Sequence, residues 1–212
     1  MISRVRILAA IALALVAATA CTAVAAQTVP DAATRQAAVK LAQDVCGSCH
    51  GAQGRGDNPR IPRLAGQQRA YIEVQLKAFR NQSRNDPAAH EYMWGVASTL
   101  NDGIVAALAE YFAAQEPAAR AVVADAKVVT AGKQLFERGS PERGAPPCTG
   151  CHGGGGEGMA VFPRLAGQHG EYIYIQLKLI QNKLRDSPVM HGLTKQLSSE
   201  ELTAIAAYLE SM

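Results

Sequence analysis

Two five-residue stretches hold the side chains best suited to chemistry: Cys46-Gly47-Ser48-Cys49-His50 and Cys148-Thr149-Gly150-Cys151-His152. Both read C-x-x-C-H, the attachment pattern of c-type haem. Two thiols three positions apart on a helical turn can each form a thioether to the vinyl-derived carbons of one porphyrin. The adjacent histidine then lies under the ring and offers a nitrogen to the iron. The duplicated pattern therefore predicts two covalent haem c groups, attached through Cys46, Cys49, Cys148 and Cys151, with His50 and His152 as axial ligands. Other readings fit less well. Zinc-ribbon knuckles lie about 15–20 residues apart, whereas these lie about a hundred apart. No strand-like run precedes either motif, as a thioredoxin-like pair would need. A disulfide inside each motif would leave the paired histidines unexplained.

Each iron needs a second axial donor. The methionines are Met1, Met93, Met159, Met190 and Met212, and the spare histidines are His90, His169 and His191. Met93 stands seven residues before Leu100 and Met190 seven before Leu197, each leading into the last helix of its half. That shared position selects Met93 and Met190. Met159 follows His152 too closely to reach the opposite face. Bis-histidine ligation through His90 or His191 is the second reading, and it implies a much lower potential, because a thioether favours ferrous iron more than imidazole does. His90 and His191 hold non-equivalent places and read as solvated.

A ligating histidine usually donates its other ring N–H to a carbonyl, which fixes tautomer and orientation. Pro62, twelve residues after His50, and Pro163, eleven after His152, are the candidate acceptors. Arg63 and Arg164 follow directly and either pair with haem propionates or face solvent.

The motifs belong to a longer repeat. Ile61-Pro62-Arg63-Leu64-Ala65-Gly66-Gln67 recurs as Phe162-Pro163-Arg164-Leu165-Ala166-Gly167-Gln168. Tyr71, Gln75, Leu76, Lys77, Asn81 and Arg84 recur as Tyr172, Gln176, Leu177, Lys178, Asn182 and Arg185. A period of roughly a hundred residues suits a small domain. The expected layout is a domain over 27–116, a linker over 117–126 and a second domain over 127–212. Each half predicts about three main helices around its haem, an all-α architecture. Asp31 caps a helix running to about Val45, and a counterpart runs from near Asp125 to about Glu137. The middle helix places Ile72, Leu76 and Phe79, or Ile173, Leu177 and Ile180, on one face. The last helix begins at Asn101 with Ile104, Leu108, Tyr111 and Phe112 inward. In the second half it begins with a Ser198–Glu201 capping box flanked by a Leu197–Leu202 staple. Gly153-Gly154-Gly155-Gly156 lacks the Lys-Ser/Thr ending of a phosphate loop and reads as a flexible segment.

The first 26 residues read as an export signal, with Arg4 and Arg6 ahead of an apolar run and small residues at Ala23-Val24-Ala25-Ala26. Retention as an anchor or lipidation at Cys21 are the alternatives. Losing Arg4 and Arg6 leaves 19 basic against 18 acidic side chains, with no single-sign excess for nucleic acid.

The arrangement resembles the cytochrome c4 family of di-haem bacterial cytochromes. The likeness rests on residues 46–51, 62–67, 71–76 and 93–100, matched by 148–153, 163–168, 172–177 and 190–197. It implies two tandem class I cytochrome c domains with neighbouring haem edges. It also implies a periplasmic electron carrier, exported and in the alternative loosely membrane-associated. Its partners would be redox proteins: an upstream quinol-oxidising complex or dehydrogenase and a downstream terminal oxidase. Thr194, where the first half has Ala97, departs from the pattern. A second possibility is the electron-accepting di-haem subunit of a dehydrogenase, such as a sulfide-oxidising flavocytochrome. A third, a di-haem peroxidase, needs an open iron position and a longer chain.

Overall fold

The computed structural model describes residues 29–118 and 124–212. The export-signal reading, Cys21 and the centre of the expected linker fall outside them. Among the described residues every regular element is helical, beside two isolated bridge pairs, Ser140–Ala145 and Met159–Phe162.

Helix α1 (Ala32–Leu41) starts where the Asp31 carboxylate accepts the Thr34 N–H at 2.7 Å. It does not stop short of the first motif. A wide turn, Ala42–Cys46, carries the chain straight into α2 (Gly47–His50), so the motif is an extension of α1. The extra residue of such a turn rotates the cysteines relative to the face on which Ala38 and Ala42 are buried. Gly51, at φ +75°, ends the helix in a conformation that costs glycine little. Helix α3 (Arg69–Arg80) buries Ile72 and Phe79, with Leu76 packed beside them. A second wide turn, Ala89–Met93, leads into α4 (Trp94–Ala97). Helix α5 (Asp102–Ala113), capped by Asn101, buries Val105, Leu108 and Phe112, with Ile104 and Tyr111 half-buried against the same core.

The second half repeats this plan. Helix α6 (Ala126–Arg138) is capped by Asp125 and followed by a turn rich in glycine and proline, then α7 (Thr149–His152). Helices α8 (Gly170–Gln181), α9 (Pro188–Thr194) and α10 (Ser199–Glu210) complete it. Ser198 and Glu201 form a reciprocal capping box, with Leu197 and Leu202 both buried beside it. The second core gathers Phe136, Ile173, Leu202, Ile205 and Leu209. Helices α6 and α10 meet at Gly132, where an added Cβ would run into the Ala204 carbonyl.

The loop carrying the glycine run is not the flexible segment expected from composition. Gly156 N–H bonds Gly153 O, Gly155 N–H bonds the Glu157 carboxylate at 2.8 Å, and Gly156 O accepts from both Leu165 and Ala166. In the first half, Gly54 O accepts from Leu64 and Ala65 in the same way. These turns bring each repeated proline stretch back beneath its histidine.

Candidate haem sites and the seam between the halves

Each site begins with the motif helix. None of the four motif cysteines is paired in a disulfide. Burial raises the Cys46 thiol above its ordinary pKa and pushes Cys148 up to about 11, so both stay protonated near neutrality. Cys49 is exposed and Cys151 half-buried.

The histidines are held from the protein side. His50 Nδ1 lies 2.8 Å from Pro62 O, and His152 Nδ1 lies 3.0 Å from Pro163 O. With Nδ1–H donating there, Nε2 is the free ring nitrogen in each. The motif backbone is tied to the following loop as well: Gly56 N–H bonds His50 O at 2.7 Å and Gly158 N–H bonds His152 O at 2.8 Å. Burial lowers both histidine pKa values and outweighs the carbonyl hydrogen bonds, which act to raise them. Both imidazoles are therefore neutral at pH 7, the form a metal requires. His152 Nε2 is buried and has no hydrogen-bond partner. An unpaired buried nitrogen is costly, and the iron of a haem held by Cys148 and Cys151 would satisfy it. The residues present thus fit two haem c groups.

Met93 is half-buried against the first core, next to Trp94, whose indole N–H donates to Arg84 O at 2.8 Å. Met190 is half-buried on α9. Thr194 departs from the alanine of the first half for a local reason: its buried hydroxyl donates to Met190 O at 2.8 Å. Met159 is 59% exposed on its loop. His90 is exposed, edge-on to Trp94. His191 is not the solvated side chain expected: it is half-buried, with Nδ1 3.1 Å from Ile180 O near the end of α8.

Arg63 does not face solvent. It is 7% exposed, and its Nη1 donates to Gly167 O of the other half at 2.7 Å. Arg164 Nε is buried without a partner.

The seam between the halves is not legible in the sequence. Gln67 and Gln168, the last residues of the repeated run, cross to the opposite half. Gln67 accepts from Arg164 N–H at 2.7 Å and donates to Arg164 O at 3.0 Å. Gln168 accepts from Arg63 N–H and donates to Arg63 O, both at 2.9 Å. His169 Nε2 bonds Gly56 O at 2.8 Å, and Gln68 Nε2 donates to the matching Gly158 O at 3.3 Å and to Glu157 O at 2.8 Å. A buried polar cluster adds to this. Arg84 bonds Asp86, Gln75 and Gln176, while Arg185 bonds Gln176, Gln75 and the Tyr71 hydroxyl. Asp86 is fully buried. Burial acts to raise the Tyr71 pKa, but the guanidinium groups of Arg185 and Arg84 win and leave it lowered. The equivalence of Tyr71, Gln75 and Arg84 with Tyr172, Gln176 and Arg185 was visible. That the two sets interlock was not, since no periodicity encodes which surfaces of two domains meet.

Two helical domains, each with a C-x-x-C-H helix whose neutral histidine is braced by a proline carbonyl, define a di-haem c-type electron carrier. Residues 36–115 and 129–212 each match the Cytochrome c family. Cytochrome c4 of Thiocapsa roseopersicina is 37% identical over 189 residues, 86% of this chain and 95% of that one. The solved cytochrome c4 of Acidithiobacillus ferrooxidans superposes with a TM-score of 0.76 at 40% identity, covering 81% of this chain and 99% of that one. A thiosulfate dehydrogenase electron acceptor of Thiomonas intermedia is 34% identical over 171 residues, 77% of this chain and 76% of that one. The chain belongs to the cytochrome c4 family.

Proposed function

We propose that this chain carries electrons between redox proteins in the periplasm, from a quinol-oxidising complex or dehydrogenase toward a terminal oxidase. In this reading residues 1–26 are an export signal, and the two carriers are the domains over 27–116 and 127–212. Cys46 and Cys49 hold one haem and Cys148 and Cys151 the other. His50 with Met93, and His152 with Met190, would hold the two irons. Pro62 and Pro163 orient the histidines, and Arg63 and Arg164 face the propionates. The unpaired Arg164 Nε is the donor that an acidic group would satisfy.

Bound haem supplies a one-electron ferric–ferrous iron couple. The chain's own residues do the rest. With a histidine and a methionine held to each iron, no position would be left for a substrate, which supports a carrier rather than an enzyme. The Pro62 and Pro163 carbonyls hold the His50 and His152 rings in fixed orientations. The observation that carries the reading is His152 Nε2, buried and unpaired, on the same helical turn as Cys148 and Cys151.

Mass spectrometry and spectroelectrochemical titration of the purified holoprotein test it. Two haem adducts, positive potentials and the near-infrared methionine–ferric band are expected. Fewer than two adducts, or clearly negative potentials without that band, overturn it. A second reading, acceptor for a dehydrogenase, is favoured by the thiosulfate dehydrogenase electron acceptor among the relatives. Rapid reduction by a thiosulfate dehydrogenase with its substrate, in preference to reduction by a quinol-oxidising complex, would support it.

A further inference from the structure

We propose that Gln67 and Gln168 are crossed positioning residues: each sets the basicity of the axial histidine in the opposite half, and so tunes the redox potential of that half's haem. The inference rests on the assignment of His50 and His152 as iron ligands.

The geometry runs through a single peptide group on each side. The Pro62–Arg63 peptide accepts from His50 Nδ1–H on its oxygen at 2.8 Å and donates its N–H to Gln168 Oε1 at 2.9 Å. The Pro163–Arg164 peptide accepts from His152 at 3.0 Å and donates to Gln67 Oε1 at 2.7 Å. Both glutamines are buried. Their orientation is fixed chemically, because each Oε1 faces an N–H while each Nε2 faces a carbonyl of the same arginine. Every other residue of the two chains of bonds lies within one half. The glutamine alone comes from the other.

Hydrogen bonds in series polarise one another, by about 10–30% per bond. An acceptor on the peptide N–H makes the proline oxygen more negative, and it then pulls harder on the histidine Nδ1–H. A histidine with a stronger outer hydrogen bond is a more basic ligand, and a more basic ligand favours ferric iron. Gln168 therefore lowers the potential of the first haem, and Gln67 lowers that of the second. Their location at the seam also means that any change in how the halves meet is felt at both irons.

The test is a pair of variants, Gln168→Leu and Gln67→Leu, titrated as holoproteins beside the parent. Gln168→Leu is expected to raise the first haem's potential and leave the second's nearly unmoved. Gln67→Leu is expected to do the reverse. The expected size is a two- to fourfold change in the oxidised-to-reduced ratio, about 18–36 mV at 59 mV per decade. In the ferrous state the histidine Nδ1–H proton resonance should move upfield in the same crossed pattern. A purely structural role would shift both haems together or neither. Should the leucine variants fail to fold, Gln168→Asn and Gln67→Asn keep the amide but not its reach, and the same crossed proton shifts are expected. Shifts confined to the haem of the mutated half, equal shifts at both, or none overturn the inference. Parent spectra check the ligands independently: a parent protein lacking histidine–methionine signatures would instead refute the ligand assignment.

Discussion

Replacing Gly132 by alanine isolates what the crossing of α6 and α10 contributes. A Cβ at this position would lie 2.5 Å from the Ala204 carbonyl carbon and 2.9 Å from Tyr208 Cβ. Carbon atoms pack best at about 3.5–4.0 Å, and both neighbours are anchored to the α10 backbone, so neither can rotate away. The helices must separate by roughly an ångström, loosening the contacts of Phe136, Leu202 and Leu209, all essentially solvent-free. Overpacking of this kind costs about 1–3 kcal/mol, and a rigid obstacle places it near the top of that range. Alanine's better helix propensity returns about 1 kcal/mol. The net loss is about 2 kcal/mol, a drop of roughly 8–16 °C in the melting of a domain this size. Circular dichroism melting of the holoprotein should show the second domain's transition falling while the first stays put. Propensity alone predicts the opposite sign. An unchanged or higher midpoint would refute the close-approach argument.

Met93→Ala should lower the potential of the first haem and halve the methionine–ferric band, and Met190→Ala should do the same at the second, both read by spectroelectrochemistry. Removing the Asp86 carboxylate (Asp86→Ala) strips the buried Arg84 of its ion-pair partner. A loss of about 3–5 kcal/mol is expected, as for breaking a buried pair from one side, and denaturant titration checks it. The Tyr71 ring carbon Cζ, followed by NMR, should titrate below the ordinary tyrosine value of about 10, because Arg185 and Arg84 outweigh burial. Arg185→Leu should move that titration upward. The linkage has a definite sign. A folded-state pKa below the unfolded one makes the folded chain shed its proton first, so Tyr71 adds stability as pH rises toward 10, and this is lost as pH falls through the folded value.

The haem chemistry is legible in the sequence because it is local. Two thiols and an imidazole within one helical turn decide which cofactor can attach. The helices were readable because Asp31, Asn101, Asp125 and Ser198 mark their starts, and apolar residues recur along one face. The duplicated spacing of Met93 and Met190 carried the ligand expectation in the same way. Folding supplied what lies between distant segments. The glycine run became an ordered turn through bonds to Glu157 and to residues 165–166. Arg63 turned inward because Gly167 O lay within reach, and Gln67 and Gln168 found the opposite half's backbone rather than water. In sequence each glutamine is one polar side chain at the end of a repeat. Which carbonyl and which N–H it meets depends on how two surfaces about a hundred residues apart pack together, and that is settled by the shared burial of both halves, which no local pattern records.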